Sequence, residues 1–171
     1  MGKIKKAHLD EINPSLLYNG GGIYLEKRMK YVFLTTQFYS DYINCPEIEQ
    51  KQLRPYVMLI VKIDDLTFAL PLRSHIKHKY AYFTDKEKGC GIDYSKAVVI
   101  TNSDLYVEKE KVPYIRPNEY KNLLGKNIII EKAFRKYLKD YKKAMTLKTD
   151  RKNYTYKFST LQYFHKELGL A

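Results

Sequence analysis

The hydrophobic pattern is clearest between Arg54 and Lys79, which reads RPYVMLIVKIDDLTFALPLRSHIKHK. Two apolar runs, Tyr56–Ile63 and Leu66–Leu72, are separated only by Asp64-Asp65. Runs of that length around a two-residue polar break predict a β-hairpin with a tight turn. The second run empties into Arg73, Ser74, His75, Lys77, His78 and Lys79. A buried hairpin thus delivers cations, a hydroxyl and two imidazoles to one exposed edge.

Weaker patterns flank this segment. Lys30–Leu34 is a short apolar strand, after which Thr35 or Thr36 can cap a helix carrying Phe38, Tyr39, Tyr42 and Ile43 on one face, stopped by Pro46. Beyond the basic loop, Thr84–Gly91 is rich in turn formers and Lys96–Thr101 is a buried strand. Asp104–Val107 is expected as a short edge strand before Pro113 and Pro117. Pro117 then suits the first turn of a helix running to Leu124, with Gly125 as its stop.

From Ile128 to Met145 the period changes to that of a helix. Ile130, Phe134, Tyr137, Leu138, Tyr141 and Met145 form a core-facing stripe, and Lys132, Lys136, Lys139 and Lys143 share another face. A final helix is expected behind a Ser159–Gln162 capping box, ending at Gly169. Several strands with two or three packed helices predict an α+β fold with a compact, mainly antiparallel sheet. At 171 residues one domain is expected, with residues 1–28 as an extension containing the linker-like Asn19-Gly20-Gly21-Gly22, and Met29 as a conceivable internal start.

Charge changes the picture. Lys and Arg number 31 against 19 acidic residues, a formal net charge of +12 that suits a polyanion. Seventeen tyrosines and no tryptophan add rings able to stack on unpaired bases, which points to RNA. Along the 128–145 helix, Lys132, Arg135, Lys136, Lys139, Lys142 and Lys143, continued by Lys148, Arg151 and Lys152, outnumber Glu131, Asp140 and Asp150. This face is therefore expected to bind RNA phosphates. No stretch approaches the ~20 apolar residues of a membrane span, and the N-terminus leads into no signal-type apolar core. Cys45 and Cys90, two and far apart, argue against a disulfide framework. A cytoplasmic protein without membrane partners is expected.

Candidate chemistry centres on the loop after the hairpin. Arg54 and Arg73 are suited to holding phosphate oxygens, because a planar guanidinium can engage two at once. Ser74 can donate to a non-bridging oxygen, and no triad pattern marks it as a nucleophile. His75 and His78 titrate in the range useful for proton transfer, while Lys77 and Lys79 supply cations for phosphate contact. Without help from elsewhere, Ser74 reads as a loop hydroxyl and the histidines as solvated side chains. His75-x-x-His78 lacks neighbouring ligands, so no metal or other cofactor is expected.

Taken in order, RPYVMLIVKIDDLTFALPLRSHIK, the preceding KYVFLTTQFYSDYI at 30–43 and the closing FSTLQYFHKELG at 158–169 resemble the toxins of type III toxin–antitoxin systems. This is the ToxN/AbiQ family with its CptN and TenpN relatives; GIDYSKAVVI at 91–100 is similar to the strand after the family's basic loop. The likeness runs from about Met29 to the end. It implies a MazF/Kid-like half-barrel with packed helices and a metal-independent endoribonuclease. That enzyme would be inhibited by a repeated pseudoknot RNA that it processes, in closed protein–RNA assemblies, with cellular or phage mRNA as substrate. Its release would arrest growth or abort phage infection.

By the same resemblance, Ser74 falls on the active-site serine of Pro-Leu-x-Ser, Arg54 on the basic residue before the first hairpin strand, and Tyr39 on the first-helix tyrosine near the scissile phosphate. Arg73 stands where one branch has threonine, and the next basic residue is Lys77 rather than one two positions after the serine. Cleavage of this kind uses the substrate's own 2′-hydroxyl and leaves a 2′,3′-cyclic phosphate. The rival expectations are a structured-RNA-binding protein without catalysis and a MazF-like ribonuclease toxin neutralised by a protein.

Overall fold

The computed structural model describes residues 29–50, 55–147 and 154–170. The expected linker at 19–22, Arg54, Lys148, Arg151 and Lys152 lie outside the described residues.

The hairpin forms as the pattern predicts. Strands β2 (Met58–Ile63) and β3 (Leu66–Arg73) pair antiparallel from Met58↔Pro71 to Ile63↔Leu66, and Asp64 makes the turn with a left-handed φ of 53°. Aspartate tolerates that region better than most side chains. On the outer side of β2 lies the short β1 (Lys30–Val32). On the other side, β3 is shared: its first half pairs with β6 (Val98–Val99) and its end with β5 (Cys90–Asp93), which pairs in turn with β4 (Ala81–Asp85). All pairings in this six-stranded sheet are antiparallel, so the α+β class holds.

Four helices accompany the sheet among the described residues: α1 (Thr36–Asp41), α2 (Ser103–Tyr106), α3 (Pro117–Leu123) and α4 (Asn127–Leu147). Thr35 caps α1 by accepting from the Phe38 amide, and α3 starts on Pro117 and gives way to Gly125, which has φ 70°. In α4 the apolar stripe is buried: Ile130, Phe134 and Tyr141 have no exposure, and Phe134 meets Phe68 of β3 edge-on. One core cluster runs from Val32 through the hairpin and α4 to Leu168. No described helix is long and apolar enough to cross a membrane.

Several local expectations fail, each for a visible reason. Asp104–Val107 is not an edge strand: residues 103–106 are helical, because the Asn102 side chain accepts from the Leu105 amide and nucleates a turn. Only Val107 keeps a strand-like bridge, to Leu34. Lys96–Thr101 contributes just Val98–Val99 to the sheet, since Asp93 caps a 3-10 turn over Tyr94–Lys96. The segment around Thr84–Gly91 holds its turn, but within a hairpin whose strands the apolar pattern did not announce. Helix α1 ends at Asp41 rather than at Pro46, and Ile43 is exposed. The closing element is a 3-10 segment, Thr160–Phe164; Ser159 accepts from the Leu161 amide, whereas Gln162 donates to carbonyls of Lys157 and Ser159 instead of closing a capping box.

Candidate active site

The end of β3 delivers the site. Arg73 is the last strand residue, paired with Gly91, and the chain bends away at Ser74. The loop that follows is held rather than free. The His75 and Ile76 amides donate to the carbonyls of Lys88 and Gly89, Ile76 is buried, and His75 adopts φ 59°. Gly89 makes this possible: its own φ is 63°, and a Cβ there would press on the Ile76 backbone. Ser74 and His75 remain exposed, with the Ser74 hydroxyl 3.1 Å from His75 Nδ1. Lys77 is exposed on the same loop.

Arg73 turns out not to be an open guanidinium. One end meets Asp93 at 2.6 Å and the other is hydrogen-bonded to Glu49, while the Tyr56 ring lies 5.7 Å beneath it. Tyr56 donates to the second Glu49 oxygen at 2.5 Å. Burial alone would lower the Arg73 pKa, but the hydrogen bond and charge of Asp93, with Tyr56 and Glu49, hold it above its ordinary value. Asp93 itself has no solvent exposure. Burial pushes its carboxyl up, yet hydrogen bonds from His78 and Ser95, the charge of His78 and the bond from Arg73 bring it below the usual range.

His78 belongs to this network. Its Nδ1 accepts from the Tyr80 amide at 3.2 Å, and Nε2 lies 3.1 Å from the Ser95 hydroxyl and 3.5 Å from Asp93. With Nδ1 accepting, a neutral ring carries its proton on Nε2 and donates into the Ser95–Asp93 pair. His78 is therefore a clamp on the loop, and the expected phosphate contact is not its visible role.

Tyr39 and Arg73 line one crevice, together with Glu47, Glu49, Tyr56 and Lys96. Its volume of about 30 Å³ admits a water molecule and no nucleotide, so a substrate would have to lie across its mouth. Burial, with the neighbouring Tyr56, pushes the Tyr39 phenol up to about 12, which leaves it a proton donor near neutrality. Lys96 is anchored by Glu47 at 2.9 Å and by the Phe158 carbonyl at 2.8 Å. Ser74 adjoins Arg73 in the chain but does not line the crevice.

On α4, Arg135 pairs with Asp64 and Glu131 at 3.4 Å each, and Lys136 with Asp140 at 2.5 Å. Lys132, Lys139 and Lys143 are exposed and Lys142 is half-buried. Lys79, Lys136 and Lys143 border a broad groove between α4 and β4. Among the described residues no cluster of His, Cys, Asp and Glu could hold a metal ion.

The sequence reading passed over Glu49, Tyr56, Asp93 and Lys96. A signal existed for Asp93 alone: a lone carboxylate inside the apolar run GIDYSKAVVI needs a buried partner. Comparison of the chain with protein-family models, curated proteins and solved structures finds no match.

Proposed function

We propose that the chain is a metal-independent endoribonuclease toxin of the type III kind, acting through the loop at the end of β3. What supports this reading is the Pro71-Leu72-Arg73-Ser74 segment: the family-like serine is exposed on a pinned loop, directly after an arginine that shares a crevice with Tyr39. In the proposed reaction the substrate 2′-oxygen attacks phosphorus, the new P–O2′ bond forms and the P–O5′ bond breaks. His75 accepts the 2′ proton, and Lys77 returns one to the leaving 5′-oxygen. Ser74 donates to a non-bridging oxygen, where negative charge grows in the transition state.

Arg73 joins by exchange. Its Asp93 partner is fully buried, whereas Glu49 sits at the crevice mouth with its side chain about a third exposed. A phosphate can replace Glu49 at the outer end of the guanidinium while Asp93 keeps the inner end fixed. The carboxylate thus stands in for substrate in the free protein. An antitoxin RNA that presents a phosphodiester to the same loop would inhibit by occupying it.

The experiment is cleavage of total RNA by the purified protein in chelator. Discrete cuts ending in 2′,3′-cyclic phosphate, lost in Ser74→Ala with an unchanged melting curve, are expected. Parental cleavage by Ser74→Ala would remove the assignment. The engagement of both ends of Arg73 by carboxylates favours a second reading, RNA binding without catalysis, and the same digestion would then give no new ends.

A further inference from the structure

The largest concavity among the described residues lies away from the crevice, between α4 and β4. It is an open groove of about 720 Å³, within the size range of ligand sites. Its walls carry five tyrosines, Tyr80, Tyr82, Tyr94, Tyr137 and Tyr156 among them, while Ala133 and Ala144 on α4 keep the helix side shallow. The rings form a contiguous set: Tyr80 lies 5.3 Å from Tyr137 and 5.8 Å from Tyr156, and Tyr137 lies 5.7 Å from Tyr156. Tyr94 and Tyr137 are buried, and Tyr80, Tyr82 and Tyr156 are half-buried at the surface.

Phenols in a hydrophobic core usually hide their faces. Here three expose them to a groove whose rim is basic. Lys79, Lys136 and Lys143 border it against a single carboxylate, Asp140, which Lys136 already neutralises. Planar apolar surface inside and uncompensated ammonium groups outside match a ligand with flat rings and a negative backbone. The lysine stripe of α4 extends the positive charge along the helix through Lys132 and Lys139.

We propose that this groove is a second RNA site, which stacks unpaired bases of a single-stranded segment on Tyr80, Tyr82 and Tyr156 while Lys79 and Lys143 hold its phosphates. It builds on the nuclease reading by giving the enzyme a place for the strand beside the cleaved bond. The chain itself connects them: Lys77, His78 and Lys79 lead from the Ser74 loop to Tyr80, and His78 is locked to both ends of that path.

The chain has no tryptophan, so Tyr156→Trp places one fluorophore in the groove. The probe is a 2′-O-methyl oligoadenylate hexamer, which lacks the attacking hydroxyl and cannot be cut. Saturable quenching by the hexamer, with little effect from inorganic polyphosphate or adenosine monophosphate at equal concentration, is the expected result. Binding of the hexamer to the native protein, followed by anisotropy, should weaken about 5- to 150-fold in Tyr80→Leu, the range for loss of one stacked base. Lys143→Glu should weaken it as well and flatten its salt dependence. Hexamer binding without quenching, or with neither variant affected, would put the site elsewhere. No hexamer binding at all, or binding of the mononucleotide equally tightly, would overturn the proposal too. Cleavage retained without stacking would sink the groove alone, and stacking retained without cleavage would sink only the nuclease reading.

Discussion

Asp93→Asn removes one charge from the centre of the molecule and leaves the shape almost unchanged. The native carboxylate accepts from Arg73 at 2.6 Å, from the Ser95 hydroxyl at 2.7 Å and from the Ser95 amide at 2.9 Å, without solvent contact. Breaking a buried ion pair from one side costs about 3–5 kcal/mol, because the remaining charge stays buried unpaired. Arg73 keeps Glu49 and is partly exposed, so the lower end applies, about 3 kcal/mol. For a chain of this length that corresponds to a fall in Tm of roughly 6–12 °C, from about 2–4 °C per kcal/mol.

The variant also changes the acid limb of stability. The folded Asp93 carboxyl lies below its unfolded value, so the unfolded chain binds the proton first as pH falls. Its contribution is complete above the ordinary carboxylate pKa, near 4, and disappears as pH drops through the lower folded value. Urea unfolding followed by circular dichroism at neutral pH and between about pH 2 and 4 measures both effects. Asp93→Asn should be less stable at neutral pH and should lose less on acidification over that window. Neutral-pH stability within 1 kcal/mol of the native chain, or an identical acid slope, would refute the assignment of Asp93 as the charge that holds Arg73 and His78.

Two further outcomes are expected. Gly91→Ala puts a Cβ onto the Tyr82 carbonyl at the β4–β5 pairing, and should cost ~3 kcal/mol through forced backbone movement, read from the urea midpoint. Lys132→Glu with Lys139→Glu should leave the melting temperature within about 2 °C, since exposed charges add little to stability, yet reduce the slope of log binding constant against log salt for single-stranded RNA. An unchanged slope would remove α4 from the RNA-binding surface.

What the sequence by itself determined is what neighbours along the chain decide. The β2–β3 hairpin was legible because alternation and a two-residue Asp-Asp turn are local. Helix α4 was legible because Ile130, Phe134, Tyr137, Leu138 and Tyr141 repeat at a helical period over more than two turns. The stop at Gly125 and the cap at Thr35 belong to the same short range. Where two local signals competed, as at Asn102 and Asp104, a single capping bond chose helix over strand.

Tertiary structure decided the chemistry. Nothing near Arg73 in the chain announces Glu49 or Asp93, which lie 24 and 20 residues away, yet together they turn an expected phosphate grip into a guarded one. His78 became a clamp because Ser95 and Asp93 arrive from β5 and the turn after it, and the tyrosine groove exists only where α4, β4 and residues 155 and 156 meet. Periodicity reports which face of an element is buried. It carries no information about which buried or half-buried groups will face one another, since that depends on register and packing between segments distant in sequence.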